Sequence, residues 1–166
     1  WYRKKLDIPA AAAGRCIFLD VDGAMAYAAV WCNGRLVGGW PYGYTSWRID
    51  LTPWVVPGGT NQLAIRLDNP NHSSRWYPGA GLYRNVWLTK TQPLRVAPWG
   101  AFISTEKVSE TAVAIHLDLT IDNNSPSEKK VQPVTRFYFS GTDGNRAEAP
   151  AALLTMEEIR VAPGRP

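Results

Sequence analysis

The chain predicts an all-β fold, and three observations carry that expectation. Thirteen Pro and fourteen Gly spread over 166 residues punctuate it too often for long helices. Apolar and polar residues alternate over several short stretches, the period of a half-buried strand. Asn33 and Gly34 stand between two apolar segments, the strongest short-range hairpin signal a sequence offers.

Residues 15–21 read as a strand with Ile17, Leu19 and Val21 on one face and Phe18 and Asp20 on the other. Asp22 and Gly23 make a turn. The nearly continuous apolar run 25–32 then reads as one strand buried on both faces. The Asn33-Gly34 turn returns the chain into 35–37. An aromatic loop follows at 40–44, and an extended pattern resumes at 46–51. Thr52 and Pro53 begin a turn or short helical piece, and residues 57–59 break the chain again. Residues 62–68 alternate, with Leu63, Ile65 and Leu67 inward. A polar loop leads to a further strand at 82–89, and this first all-β domain ends near Lys90.

Composition changes between Thr91 and Leu94, where Pro93 marks a junction. Beyond it, Val113, Ile115, Leu117, Leu119 and Ile121 alternate with Ala114, His116, Asp118 and Thr120, the cleanest half-buried strand pattern in the chain. Turn clusters at 122–126 and 142–145 separate it from predicted strands at 131–140 and 153–161. This punctuation predicts a β-sandwich of immunoglobulin type over 91–166. Too few strands are present for a complete one, so the domain is expected to be truncated.

The composition is that of a globular protein, with 45% hydrophobic and 19% charged residues. Its net charge of +4 is scattered, without the dense basic stripe that nucleic-acid binding usually shows. No apolar run is long enough for a membrane span. Cys16 and Cys32 cannot make a disulfide framework; each reads as a buried free thiol, with one bridge between neighbouring strands left open. His72 and His116 share no metal-ligand spacing, and neither a metal site nor another cofactor is expected. Localisation cannot be read, and a homo-oligomer is compatible with the sequence.

Function concentrates in residues 74–88. Pro78 and Gly79 suit the two central positions of a type II turn, so Arg75, Trp76 and Tyr77 are expected on a stiff bend. A rigid, aromatic, Arg-bearing loop suits a binding edge. The competing reading is a β-corner in which Trp76 and Tyr77 cap a core.

The first part of the chain resembles the N-terminal region of the family 2 glycoside hydrolases, the β-galactosidases in particular. The matching pieces are residues 1–4 (Trp-Tyr-Arg-Lys), 18–23 (Phe-Leu-Asp-Val-Asp-Gly), 29–34 (Ala-Val-Trp-Cys-Asn-Gly), 41–44 (Pro-Tyr-Gly-Tyr), 49–52 (Ile-Asp-Leu-Thr), 63–69 (Leu-Ala-Ile-Arg-Leu-Asp-Asn) and 74–87. Residues 97–100 and 105–108 continue the resemblance more loosely. It implies a galactose-binding-like jelly-roll β-sandwich over 1–90, its first strand expected to be missing, and a partial immunoglobulin-like β-sandwich over 91–166. A catalytic (β/α)₈ barrel lies elsewhere in such enzymes, and this chain holds no catalytic residue. The fragment is therefore expected to be inactive alone and cut from a retaining glycosidase acting on terminal β-galactosides. Its partners are a β-galactoside or related carbohydrate and the missing barrel; a free-standing carbohydrate-binding module and a β-glucuronidase or β-mannosidase parent are the alternatives.

In similar enzymes a loop of the sugar-binding domain leans over the barrel mouth, and residues 68–77 occupy the corresponding place. The resemblance thus implies that Arg75 bonds sugar hydroxyls or a barrel carboxylate, that Trp76 stacks on a pyranose, and that Asp68 and Asn69 bond hydroxyls or brace the loop. Asp68 and Asn69 equally suit strand termination through local backbone amides. Residues 41–44 suit either the outer edge of the site or an ordinary aromatic turn.

Overall fold

The computed structural model describes residues 1–72 and 79–164. The chain is all-β and divides into two compact units, Trp1–Pro93 and Leu94–Pro166. Among the described residues no helix is long and apolar enough to cross a membrane.

In the first unit, β1 (Tyr2–Asp7) is followed by one 3₁₀ turn (Ala10–Ala12), β2 (Cys16–Val21), β3 (Ala24–Met25), β4 (Ala28–Cys32) and β5 (Arg35–Trp40). Then come β6 (Trp47–Asp50), β7 (Thr60–Arg66), β8 (Gly81–Leu82) and β9 (Val86–Thr91). The strands form an antiparallel sheet ordered β1-β7-β4-β5, a second ordered β6-β2-β9, and the short pair β3-β8. Ile17, Leu19 and Val21 from β2, Trp47 and Ile49 from β6, Val30 and Cys32 from β4, and Leu63 and Ile65 from β7 meet in one core. Each buried aliphatic side chain there contributes roughly 1.5–3 kcal/mol by leaving water.

The alternation of 15–21 holds, but its second face is not bathed in water. Phe18 is 1% exposed, with the Arg48 guanidinium 4.8 Å from its ring centroid. Arg48 in turn forks onto both carboxylate oxygens of Asp20, and the Thr89 hydroxyl donates to the same carboxylate. The predicted hairpin is formed by β4 and β5, with Asn33 at φ 51° and Gly34 at φ 79°, the doubly left-handed geometry of a type I′ turn. Asn33 is also tied inward, donating to Trp54 O and Asn61 Oδ1. Cys16 and Cys32 are both buried and free, so the bridge left open by the sequence is not formed; burial pushes the Cys32 thiol pKa up.

The single strand expected over 25–32 is a correction. It breaks at Tyr27, whose φ is 45°, into β3 and β4, and β4 then alternates so that Trp31 is half-buried against Trp1. An apolar run records hydrophobicity, not the left-handed residue that ends pairing.

The second unit contains β10 (Leu94–Val108), β11 (Val113–Asn123), β12 (Lys129–Val131), β13 (Val134–Phe137), β14 (Ala152–Thr155) and β15 (Ile159–Val161). They pair as β10-β11, β12-β15 and β13-β14. The predicted strand at 113–121 is β11, and its partner β10 escapes the alternation because Pro98, Trp99 (φ 53°) and Gly100 interrupt it within a register shift. The strand expected over 131–140 splits at Pro133, and that over 153–161 splits at 156–158; the halves then take different partners.

Candidate functional site

Four loops of the first unit converge at one end of its sheets. Antiparallel order β7-β4-β5 continues past the strand ends through backbone bonds: Asp68 N–H donates to Ala26 O at 2.9 Å, and Tyr27 N–H to Pro41 O at 3.0 Å. From the other side β3 pairs with β8, and Tyr83 N–H donates to Gly23 O. Residues 22–27, the start of the 41–46 loop, Asp68 and residues 81–83 are thereby drawn together.

The loop at 41–46 is pinned from below. Tyr83 Oη donates to Gly43 O at 2.7 Å, Trp40 Nε1 to Thr45 Oγ1 at 2.9 Å, and Ser46 Oγ to Asp22 O at 3.2 Å. Gly43 lies so close to Met25 that any side chain there would run into its sulfur. Yet the rings this frame carries face water. Tyr27, Tyr42 and Tyr44 are each more than half exposed, and Trp40 and Tyr83 nearly so. Tyr42 and Tyr44 meet edge to face, with centroids 5.5 Å apart. Tyr27 adds a second peculiarity: a bulky residue held at positive φ costs about 1–3 kcal/mol, and such strain gathers at ligand-contacting positions.

Of the residues singled out from sequence, Asp68 and Asn69 are described. Asp68 is exposed, paired with Arg66 Nη2 at 2.7 Å, and its backbone N–H is the bond to Ala26 that orients the loop. Asn69 beside it is half-buried. Arg75, Trp76 and the turn residue Pro78 lie outside the described residues. The structure adds Tyr27 and Tyr83, which sequence reasoning missed. Tyr27 sits inside an apolar run that reads as core, and Tyr83 inside a strand pattern; neither position advertises a loop.

A groove of about 310 Å³ opens elsewhere in this unit, floored by Leu63, Ile65, Leu82 and Val86. Tyr2, Arg3 and Lys4 complete its lining, and the Tyr2 hydroxyl already accepts Leu82 N–H. The aromatic loop end sets exposed π faces beside phenolic hydroxyls and a carboxylate, a combination that suits a polyhydroxylated ring. Among the described residues no group of three His, Cys, Asp or Glu side chains is placed to hold a metal ion.

The first unit is thus a β-sandwich that fixes its loop backbones and leaves their rings exposed. Residues 1–81 match the glycosyl hydrolase 2 galactose-binding domain-like family. A β-galactosidase of Bacteroides ovatus is 41% identical over 132 residues, covering 79% of this chain and 16% of that enzyme. A putative β-glucuronidase of Formosa agariphila is 33% identical over 122 residues, 73% of this chain and 12% of its own length. Among solved structures, a glycosyl hydrolase family 2 member from Bacteroides cellulosilyticus superposes with a TM-score of 0.81 at 33% identity, over 97% of this chain and 22% of that one. A Bacteroides uniformis β-glucuronidase gives 0.80 at 27% identity, over 99% and 20%. The chain belongs to glycoside hydrolase family 2, whose N-terminal galactose-binding-like region it carries. It spans less than a quarter of each of these relatives.

Proposed function

We propose that this chain is the non-catalytic N-terminal part of a retaining glycosidase that hydrolyses terminal β-galactosides. Residues 1–90 act as its jelly-roll sugar-binding domain and 91–166 as an immunoglobulin-like sandwich. The loop end of the first unit completes the mouth of a sugar pocket whose floor is a catalytic barrel. The barrel supplies two Glu side chains about 5–5.5 Å apart, one protonating the leaving oxygen and the other attacking the anomeric carbon. The first unit contains no glutamate at all, in keeping with that division of labour.

The observation that carries the reading is the gathering of Asp68 and Asn69 with exposed aromatic rings at one end of a domain from a glycosidase family. Arg75, with five planar donors, grips sugar hydroxyls or a barrel carboxylate, and Trp76 stacks on the pyranose. The galactoside assignment leans on the sequence of residues 74–81 and on the Bacteroides ovatus relative; the β-glucuronidases among the similar proteins make a glucuronide the rival substrate.

Two measurements test this. The purified chain is expected to show no turnover of a chromogenic β-galactoside, and hydrolysis that copurifies with it defeats the non-catalytic reading. In a longer polypeptide that contains this chain and a barrel, Arg75→Ala is expected to raise KM for the galactoside about tenfold or more, the worth of a charged hydrogen bond. An unchanged KM removes Arg75 from the pocket, and a preference for glucuronides over galactosides replaces the substrate.

A further inference from the structure

We propose that Tyr27, Tyr42 and Tyr44 form a second pyranose subsite beside Asp68, so that this end of the molecule takes an oligosaccharide. The inference rests on the loop end being a carbohydrate surface, and it goes beyond that reading by assigning a site and a substrate class to residues outside 68–77.

Geometry supplies the first reason. The bonds from Asp68 to Ala26 and from Tyr27 to Pro41 place three backbones side by side in strand order. Neighbouring strands lie about 4.8 Å apart, so Asp68 and Pro41 are separated by roughly 10 Å. That is about the length of two linked pyranose rings. A disaccharide that is engaged by Asp68 and runs across the strand order has the span to reach Tyr27 and the 41–44 loop.

Chemistry supplies the second. The three tyrosines are exposed at 54%, 55% and 52% although each carries a large apolar ring. The frame beneath them is fixed by Tyr83, Thr45 and Met25, so ligand binding does not have to order the loop. At an interplanar angle of 61°, Tyr42 and Tyr44 cannot stack on each other, which leaves a ring face for the C–H side of a sugar, with phenolic hydroxyls at the rim for its hydroxyls.

The test is a ¹H–¹⁵N NMR titration of the 166-residue chain with methyl β-galactoside and, separately, with lactose. Lactose is expected to shift the amides of Tyr27, Tyr42, Gly43 and Tyr44 as well as those of Asp68 and Asn69, and to bind about tenfold more tightly than the monosaccharide. Tyr42→Ala and Tyr27→Gly are expected to erase that advantage; glycine adopts the left-handed backbone at 27 without strain, so this variant removes the ring and keeps the turn. Equal affinity for the two sugars, shifts confined to Asp68 and Asn69, or no shift with lactose overturns the subsite. Shifts at the tyrosines with none at Asp68 and Asn69 leave the subsite standing and overturn instead the placement of a sugar on the 68–77 loop.

Discussion

The two units of this chain are built from strands of similar composition and bury them very differently. Every buried apolar side chain among the described residues lies between Ile8 and Ile65, in the first unit. In the second, the described buried residues are the polar pair Asp122 and Asn123, while Ile103, Val108, Val113 and Ile115 line one face of the β10-β11 ribbon in water. Alternation alone makes a strand amphipathic; a second layer must meet its apolar face before burial stabilises anything. The first unit has two sheets facing one core, whereas the ladders of the second are two-stranded.

Truncation of equivalent side chains tests this contrast most strongly. Leu51 is fully buried, and Leu51→Ala is expected to lower the unfolding free energy of the first unit by about 2–5 kcal/mol, the transfer cost plus the cavity. Ile103→Ala, at a side chain 65% exposed, is expected to change stability by no more than about 0.5 kcal/mol. Chemical denaturation of the two variants, followed by residue-resolved NMR, reads both. A large loss at Ile103 would mean that its face is covered in solution, and the contrast between the units would fall.

A buried asparagine organises loops in each unit, which sharpens the comparison. Asn61 is fully buried; its Oδ1 accepts from Val56 N–H and Asn33 Nδ2, and its Nδ2 donates to Val56 O and Gly59 O. Asn123 plays a parallel part, donating to Ser127 O and Val161 O and accepting from the Ser125 amide and hydroxyl. Replacing either by Ala strands backbone groups at about 1–3 kcal/mol for each one left dry. Both side chains are 0% exposed, so Asn61→Ala and Asn123→Ala are each expected to cost about 3 kcal/mol. A much smaller loss at Asn123 in thermal denaturation would show that water reaches the groups freed in the second unit more easily than those in the first.

Much of the first unit was legible because its signals are local. Asn33 and Gly34 need only their own backbone, and the alternation of Leu63 and Ile65 names its buried face directly. The break at Tyr27 was not legible, because nothing in an apolar run distinguishes a left-handed tyrosine from one in a strand. Phe18 reads as an outer-face residue, but it is covered by Arg48, thirty residues away in sequence and brought opposite Asp20, one step along the same face, only once β2 and β6 pair. At the candidate site, Asp68 and Asn69 are proposed through resemblance, while Tyr27 and Tyr83 join them only through the Ala26 and Gly23 carbonyls, long-range bonds with no sequence signature.

The smallest expected effect is electrostatic, and it too divides the units. Burial of Asp20 works against its ionisation, but the hydrogen bonds from Arg48 and Thr89 and the Arg48 charge outweigh it and hold the carboxyl below its ordinary value. Asp143, in the second unit, is lowered by the backbone and side-chain N–H groups of Asn145 within one exposed turn. A folded pKa below the unfolded one means that the unfolded chain binds more protons, so the stabilisation is complete above the ordinary carboxylate range and is lost as pH falls through the folded value. The melting temperature of the first unit is therefore expected to fall as pH drops below about 4, the ordinary Asp value, with Asp20→Asn flattening that slope. Asp143→Asn is expected to leave the slope nearly unchanged, since an exposed turn is screened by solvent. Melts of the three proteins across that range decide it: a slope that survives Asp20→Asn would place the acid sensitivity of the first unit on another carboxylate, and one abolished by Asp143→Asn would move it to the second.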